Sequence, residues 1–130
     1  MPVSKMVHDV DPAKQLLKEI GDISGFEVLY NEVLIGIYQR PEKTAGGIIL
    51  TDKTRGEDQY QGKAGLVLKK GPMAFVSDES FDFKGQTLEI GEWVSIWVSD
   101  GKAIKINGVL CRMVEDRYIK LKIPAPDSVY

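Results

Sequence analysis

Few residues in this chain are of types that perform chemistry, and none stands at a spacing that a reaction needs. A nucleophile requires a base within hydrogen-bond reach, and a structural zinc ion takes about four His, Cys or carboxylate ligands. The sequence offers one histidine, His8, and one cysteine, Cys111. His8 lies in an N-terminal leader-like stretch and reads as a surface residue. Cys111 sits in an apolar run beside Leu110 and Met113, as a buried inert thiol does. Asp52, Glu57 and Asp58 read as a solvated loop, and Asp78 and Glu79 lack companions for a metal site. No Walker loop or dinucleotide glycine pattern occurs. The expectation is a protein with no catalytic residues, no metal and no cofactor.

The stretch that stands out is built for contact rather than catalysis. In Thr44-Ala45-Gly46-Gly47-Ile48-Ile49-Leu50-Thr51, three large aliphatic residues follow a Gly-Gly pair. Glycine reaches positive φ without steric cost, so the pair acts as a hinge. A triplet on such a hinge either opens a core strand or is carried outward to grip another protein.

The elements that must position it are short strands. Asp11-Pro12, then Ala13, Leu16, Leu17 and Ile20 before Gly21, predict a short amphipathic helix with Asp11 as N-cap and Gly21 as its stop. Under three turns long, it must dock its apolar face on its own domain or on a neighbour. From Phe26 the pattern is strand and turn: Glu32–Tyr38, Ile48–Leu50, Ala64–Leu68, Leu88–Ile90, Trp93–Val98, Ala103–Ile106, Val109–Val114 and Tyr118–Ile123. Asp100-Gly101 and Asn107-Gly108 both read as hairpin turns. Short strands so punctuated predict an all-β fold, a small barrel or sandwich. At 130 residues, 43 % hydrophobic and 28 % charged, the composition is that of one ordinary soluble domain. The net charge of −2 offers no basic footprint for nucleic acid. No apolar run approaches the roughly 20 residues of a membrane span. A lone cysteine excludes an internal disulfide and fits a reducing cytoplasm.

In order along the chain, these pieces resemble the GroES-like co-chaperonin family. Tyr30–Ile35, a polar gap and then Thr44–Thr51 are similar to that family's first strand and mobile loop. Gln61–Leu68 resembles its second strand, Leu88-Glu89-Ile90-Gly91-Glu92-Trp93-Val94 its later strand entry, and Val109–Ile119 its closing strand pair. The likeness covers roughly Val28 to Ile123 and implies three parts. Residues 1–27 are an N-terminal extension with the helix, 28–123 a GroES-like β-barrel, and 124–130 a tail that two prolines make extended. Met73–Thr87, where the family places a roof hairpin, carries Phe75, Phe81 and Phe83 among acidic residues. Additions at both ends point to a specialised relative of the kind tailed phages encode.

The resemblance implies that Gly46, Gly47, Ile48, Ile49 and Leu50 form a partner-binding loop that docks on a chaperonin ring, the ATP being bound by the partner. Each fully buried aliphatic side chain is worth about 1.5–3 kcal/mol. Ordering the loop costs about 1–2 kcal/mol per residue, so one loop binds weakly and a ring of loops binds through avidity. Strand alternation places Val94, Ile96 and Val98 on one face and Trp93, Ser95 and Trp97 on the other. The two tryptophans either pack in a strand buried on both faces or form a subunit interface of a homo-oligomer. The resulting expectation is a cytoplasmic co-chaperonin that assists protein folding. The alternative is a phage capsid decoration protein, in the host cytoplasm and then the virion. Its helix, loop and tail would grip the major capsid protein.

Overall fold

Asp11 and Gly21 bracket helix α1 (Pro12–Ile20) as their residue types demand. The Asp11 carboxylate accepts from the Ala13 and Lys14 N–H groups, Pro12 opens the first turn, and Gly21 closes the helix at φ 68°. The computed structural model describes residues 11–39, 63–97 and 99–129. Within them the chain forms one antiparallel sheet of β1 (Glu32–Ile37), β2 (Ala64–Lys70), β3 (Trp93–Ser95), β4 (Lys102–Ile106), β5 (Val109–Glu115) and β6 (Leu121–Ile123). Their order across the sheet is β4-β5-β1-β2-β3-β6. Short 3-10 turns lie at Asp116–Tyr118 and Pro126–Val129. The all-β expectation holds at this level: an antiparallel sheet with one short helix. No helix among the described residues is long and apolar enough to cross a membrane.

Both faces of the central strands β1 and β2 are covered. On one, Val33, Ile35, Ile37, Val67, Val94, Ile96 and Val114 close over Leu88. On the other, Leu34, Leu66, Leu68, Ile106 and Cys111 receive Leu16 and Ile20 of α1. The helix comes so close that a β-carbon on Gly36 would stand 2.7 Å from a Leu16 methyl. So the helix docks on its own domain. Asn107 fastens its end: the side-chain amide donates to the Ile20 carbonyl (2.8 Å), one of the acceptors a helix C-terminus leaves open, and to the Asp22 carbonyl just past the cap (3.3 Å).

The ladder ends at β4 and β6, which are not paired with each other, but the sheet cannot be flat. Glu115 is level with Glu32 on β1. Leu121 pairs with Ser95, Ser95 with Ala64, and the Ala64 carbonyl accepts from the Tyr38 N–H. In a flat sheet Leu121 would lie about 20 Å further along than Glu115 and about 19 Å across, a separation of about 28 Å. The six Cα–Cα steps joining them reach about 20 Å when fully extended, and residues Asp116–Tyr118 among them are wound into a 3-10 turn. The sheet therefore coils strongly, bringing its outer strands around the Val/Ile face.

Five sequence expectations change. The closing strand runs only over Leu121–Ile123 and not from Tyr118, because Asp116–Tyr118 is wound into a 3-10 turn. β3 ends at Ser95, and Val98 lies outside the described residues. Leu88–Ile90 is not a strand; Leu88 is buried beneath the sheet from an irregular segment. Asp100-Gly101 joins β3 to β4, which are not neighbours, so it turns a crossover, whereas Asn107-Gly108 does join paired strands. The tail is not extended: Pro126 opens a 3-10 turn, which proline's fixed φ suits, and Asp127 beside it is buried.

Candidate binding site

Cys111 is fully buried, and burial pushes its thiol up to about 11, so it stays protonated and unreactive at neutral pH. Asp78 shapes a turn: one of its oxygens accepts from the Ser80 hydroxyl (2.7 Å) and from the Ser80 and Phe81 N–H groups. Those bonds, the Ser80 hydroxyl's first, hold its carboxyl below the usual range. Among the described residues no group of His, Cys, Asp and Glu side chains could hold a metal ion. His8, Asp52, Glu57, Asp58 and the stretch Gly46, Gly47, Ile48, Ile49 and Leu50 lie outside the described residues.

The ends of the chain that carries that stretch are on the sheet. β1 and β2 pair from Val33↔Lys70 to Ile37↔Gly65. The chain therefore leaves and re-enters at one end of a single two-stranded ladder. Gly65 has no substitute there: a β-carbon would run into the Ile35 side chain.

The tryptophans separate. Trp93 is half-buried against the helix face and meets Tyr38 edge-on, ring centres 5.9 Å apart. Trp97, past the strand's end, is 67 % exposed and is the one of the pair free to serve an interface.

A second site was marked in the sequence only by three phenylalanines. Phe75, Phe81 and Phe83 pack in series, Phe75 and Phe83 edge-on with ring centres 5.6 Å apart and Phe81 and Phe83 tilted at 4.6 Å. They floor an open groove of about 900 Å³ whose opposite wall is Arg117 to Lys122, including the start of β6. Lys84, Arg117, Lys120 and Lys122 line it against one carboxylate, Asp82. Asp82 pairs with Lys84, while Glu115 and Glu92 approach Arg117 and Lys122 (3.9 and 3.3 Å). The buried Asp116 fixes the floor to the wall. Its carboxylate accepts from the Phe75 N–H at 2.9 Å, the Arg117 N–H at 2.7 Å and the Asn31 amide at 3.3 Å. The first of these bonds is made by Phe75 at φ 62°, a conformation that a bulky residue adopts only under constraint. The sequence signal for Asp116 was absent, because its partners lie 41 and 85 residues away. No protein-family model matches this chain, and no curated protein matches it.

Proposed function

We propose that this chain is a co-chaperonin-like lid subunit on a GroES-like barrel, gripping a chaperonin ring through Ile48, Ile49 and Leu50. The observation that carries the reading is the register of β1 and β2. The Gly-Gly-aliphatic segment is spliced between two paired strands, departing from the Ile37↔Gly65 end. Long insertions at such a point are usually functional, since the ladder beneath stays intact whatever the insertion does. The strong coil of the sheet supports the barrel. In this reading Trp97 contributes to the contact between subunits of a ring.

The decoration alternative is less well supported. It assigns the helix and tail to gripping capsid neighbours, yet Leu16 and Ile20 are seated on the sheet and Pro126 and Asp127 are buried. The apolar triplet is then the remaining grip.

Replacing Ile49 with Ser tests the reading. A lid loses chaperonin binding in a pull-down with an ATP analogue and keeps its melting temperature, because the lost burial is repeated in every subunit. A core strand residue would instead lower stability by several kcal/mol. Unchanged chaperonin binding, with loss of co-sedimentation on capsids, would favour decoration. A wild-type protein that ignores its cognate chaperonin under all nucleotide conditions ends the lid proposal.

A further inference from the structure

We propose that Asn107 is the site of a spontaneous covalent modification, deamidation to aspartate or isoaspartate, which the docking of α1 holds back and which, once made, loosens the docked helix. Three observations converge on this. Asn107 and Gly108 form the exposed two-residue turn between the paired strands β4 and β5, at φ 51° and 83°. Gly108 has no side chain to shield its backbone nitrogen, and space around it is open: a β-carbon there would meet nothing within 4 Å. The Asn107 side-chain nitrogen is also the group that holds the Ile20 carbonyl at 2.8 Å and the Asp22 carbonyl at 3.3 Å. The other asparagine of the chain, Asn31, is followed by Glu32, whose side chain crowds the same approach and whose N–H donates to the Leu29 carbonyl.

The step needs only water. The Gly108 backbone nitrogen gives its proton to solvent and bonds to Cγ of Asn107, closing a succinimide ring. The Cγ–Nδ2 bond breaks, and the nitrogen leaves as ammonia with a proton taken from solvent. Water then opens the ring at one of its two carbonyl carbons, giving aspartate or, with the main chain rerouted through Cγ, isoaspartate. In the docked state the two hydrogen bonds hold Nδ2 at the helix end and oppose rotation of Cγ onto the Gly108 nitrogen. The product reverses that contact. An ionised carboxylate only accepts, so it sets oxygens against two carbonyls and adds negative charge at the negative end of the helix. By linkage, a reaction that docking slows yields a product that disfavours docking. The inference rests on α1 and the β4–β5 turn, and it is independent of the chaperonin reading.

The test incubates the full chain at mildly alkaline pH, with and without guanidinium, and follows Asn107 by peptide mass mapping. The folded protein should convert at Asn107 roughly tenfold more slowly than the unfolded chain, because only the locally opened form reacts. Asn31 should lag behind Asn107 in the unfolded chain. Leu16→Ala, which loosens the helix, should convert severalfold faster than folded wild type. Asn107→Asp makes one product directly, and its α1 amides should exchange roughly tenfold faster than those of wild type. If Leu16→Ala does not fold, the exchange of Asn107→Asp and the folded-to-unfolded ratio decide. Equal conversion in folded and unfolded chains overturns the proposal, as does conversion of a folded Leu16→Ala at the wild-type rate. So does an Asn107→Asp protein whose α1 amides are protected as in wild type. A chain that stays intact at Asn107 even in guanidinium overturns it as well.

Discussion

The two faces of the sheet are filled by different side chains. The coiled inner face is almost wholly β-branched: Val33, Ile35, Ile37, Val67, Val94, Ile96 and Val114. The outer face relies on Leu34, Leu66 and Leu68, longer and unbranched at the β-carbon, reaching up to Leu16 and Ile20. Stiff β-branched residues suit a pleated, buried sheet face. Leucine suits a face completed by a helix from elsewhere in the chain. The inner face thus belongs to the sheet's own existence, while the outer face depends on a docked addition. Damage to the first should be global, and damage to the second should begin locally.

Ile35→Ala probes the inner face and should produce the largest effect. Ile35 is fully buried, so the truncation should cost about 2–5 kcal/mol, seen as a lower denaturation midpoint in every probe at once. A response confined to one region would mean that the inner face is not the common core. Leu16→Ala should cost less, about 2–3 kcal/mol, and the loss should appear first as faster amide exchange along α1. If sheet amides accelerate equally, the helix is no addition but part of the same cooperative unit. Glu32→Gln sharpens the comparison at the sheet's rim. Burial first, then Glu115 directly across the β1–β5 pair and Asp116 beyond, raise the Glu32 carboxyl above its ordinary value. Its folded form holds the proton more tightly than the unfolded chain does. The wild type therefore gains stability as pH falls through the raised value towards the ordinary 4.5. The variant should be the more stable protein at neutral pH, with the advantage shrinking to nothing below about pH 4. Melting curves from pH 3 to 8 would show it, and a constant difference across that range would assign the effect to packing instead.

What the sequence made legible was local. The helix could be read from Asp11, Pro12 and Gly21 because a cap and a stop act within a few residues. The Asn107-Gly108 hairpin could be read because its strands flank it. Asp100-Gly101 has the same turn chemistry, yet its strands pair elsewhere: turn residues encode a reversal of direction, not the partner reached afterwards. Likewise the alternation at Trp93–Trp97 assigned Val94 and Ile96 to the core, but it could not tell that the strand stops at Ser95 and leaves Trp97 exposed. The phenylalanine groove was visible only as a cluster of like residues. Its wall comes from Arg117 to Lys122, and its fastening from Asp116, both remote along the chain.

The Asn107 cap carries a consequence for the order of events at the ribosome. Helix α1 is made early, but the amide that closes its last turn lies 87 residues downstream of Ile20, and Ile106 and Cys111 in its seat lie equally far away. At about 5–20 residues per second, roughly 5–20 s of synthesis separate the helix from the last part of its seat. Nine residues cannot hold a helix alone for that interval. The nascent chain therefore trails an unstructured amphipathic segment, with Leu16, Leu17 and Ile20 accessible to holdase chaperones, until the β4–β5 hairpin emerges to receive it.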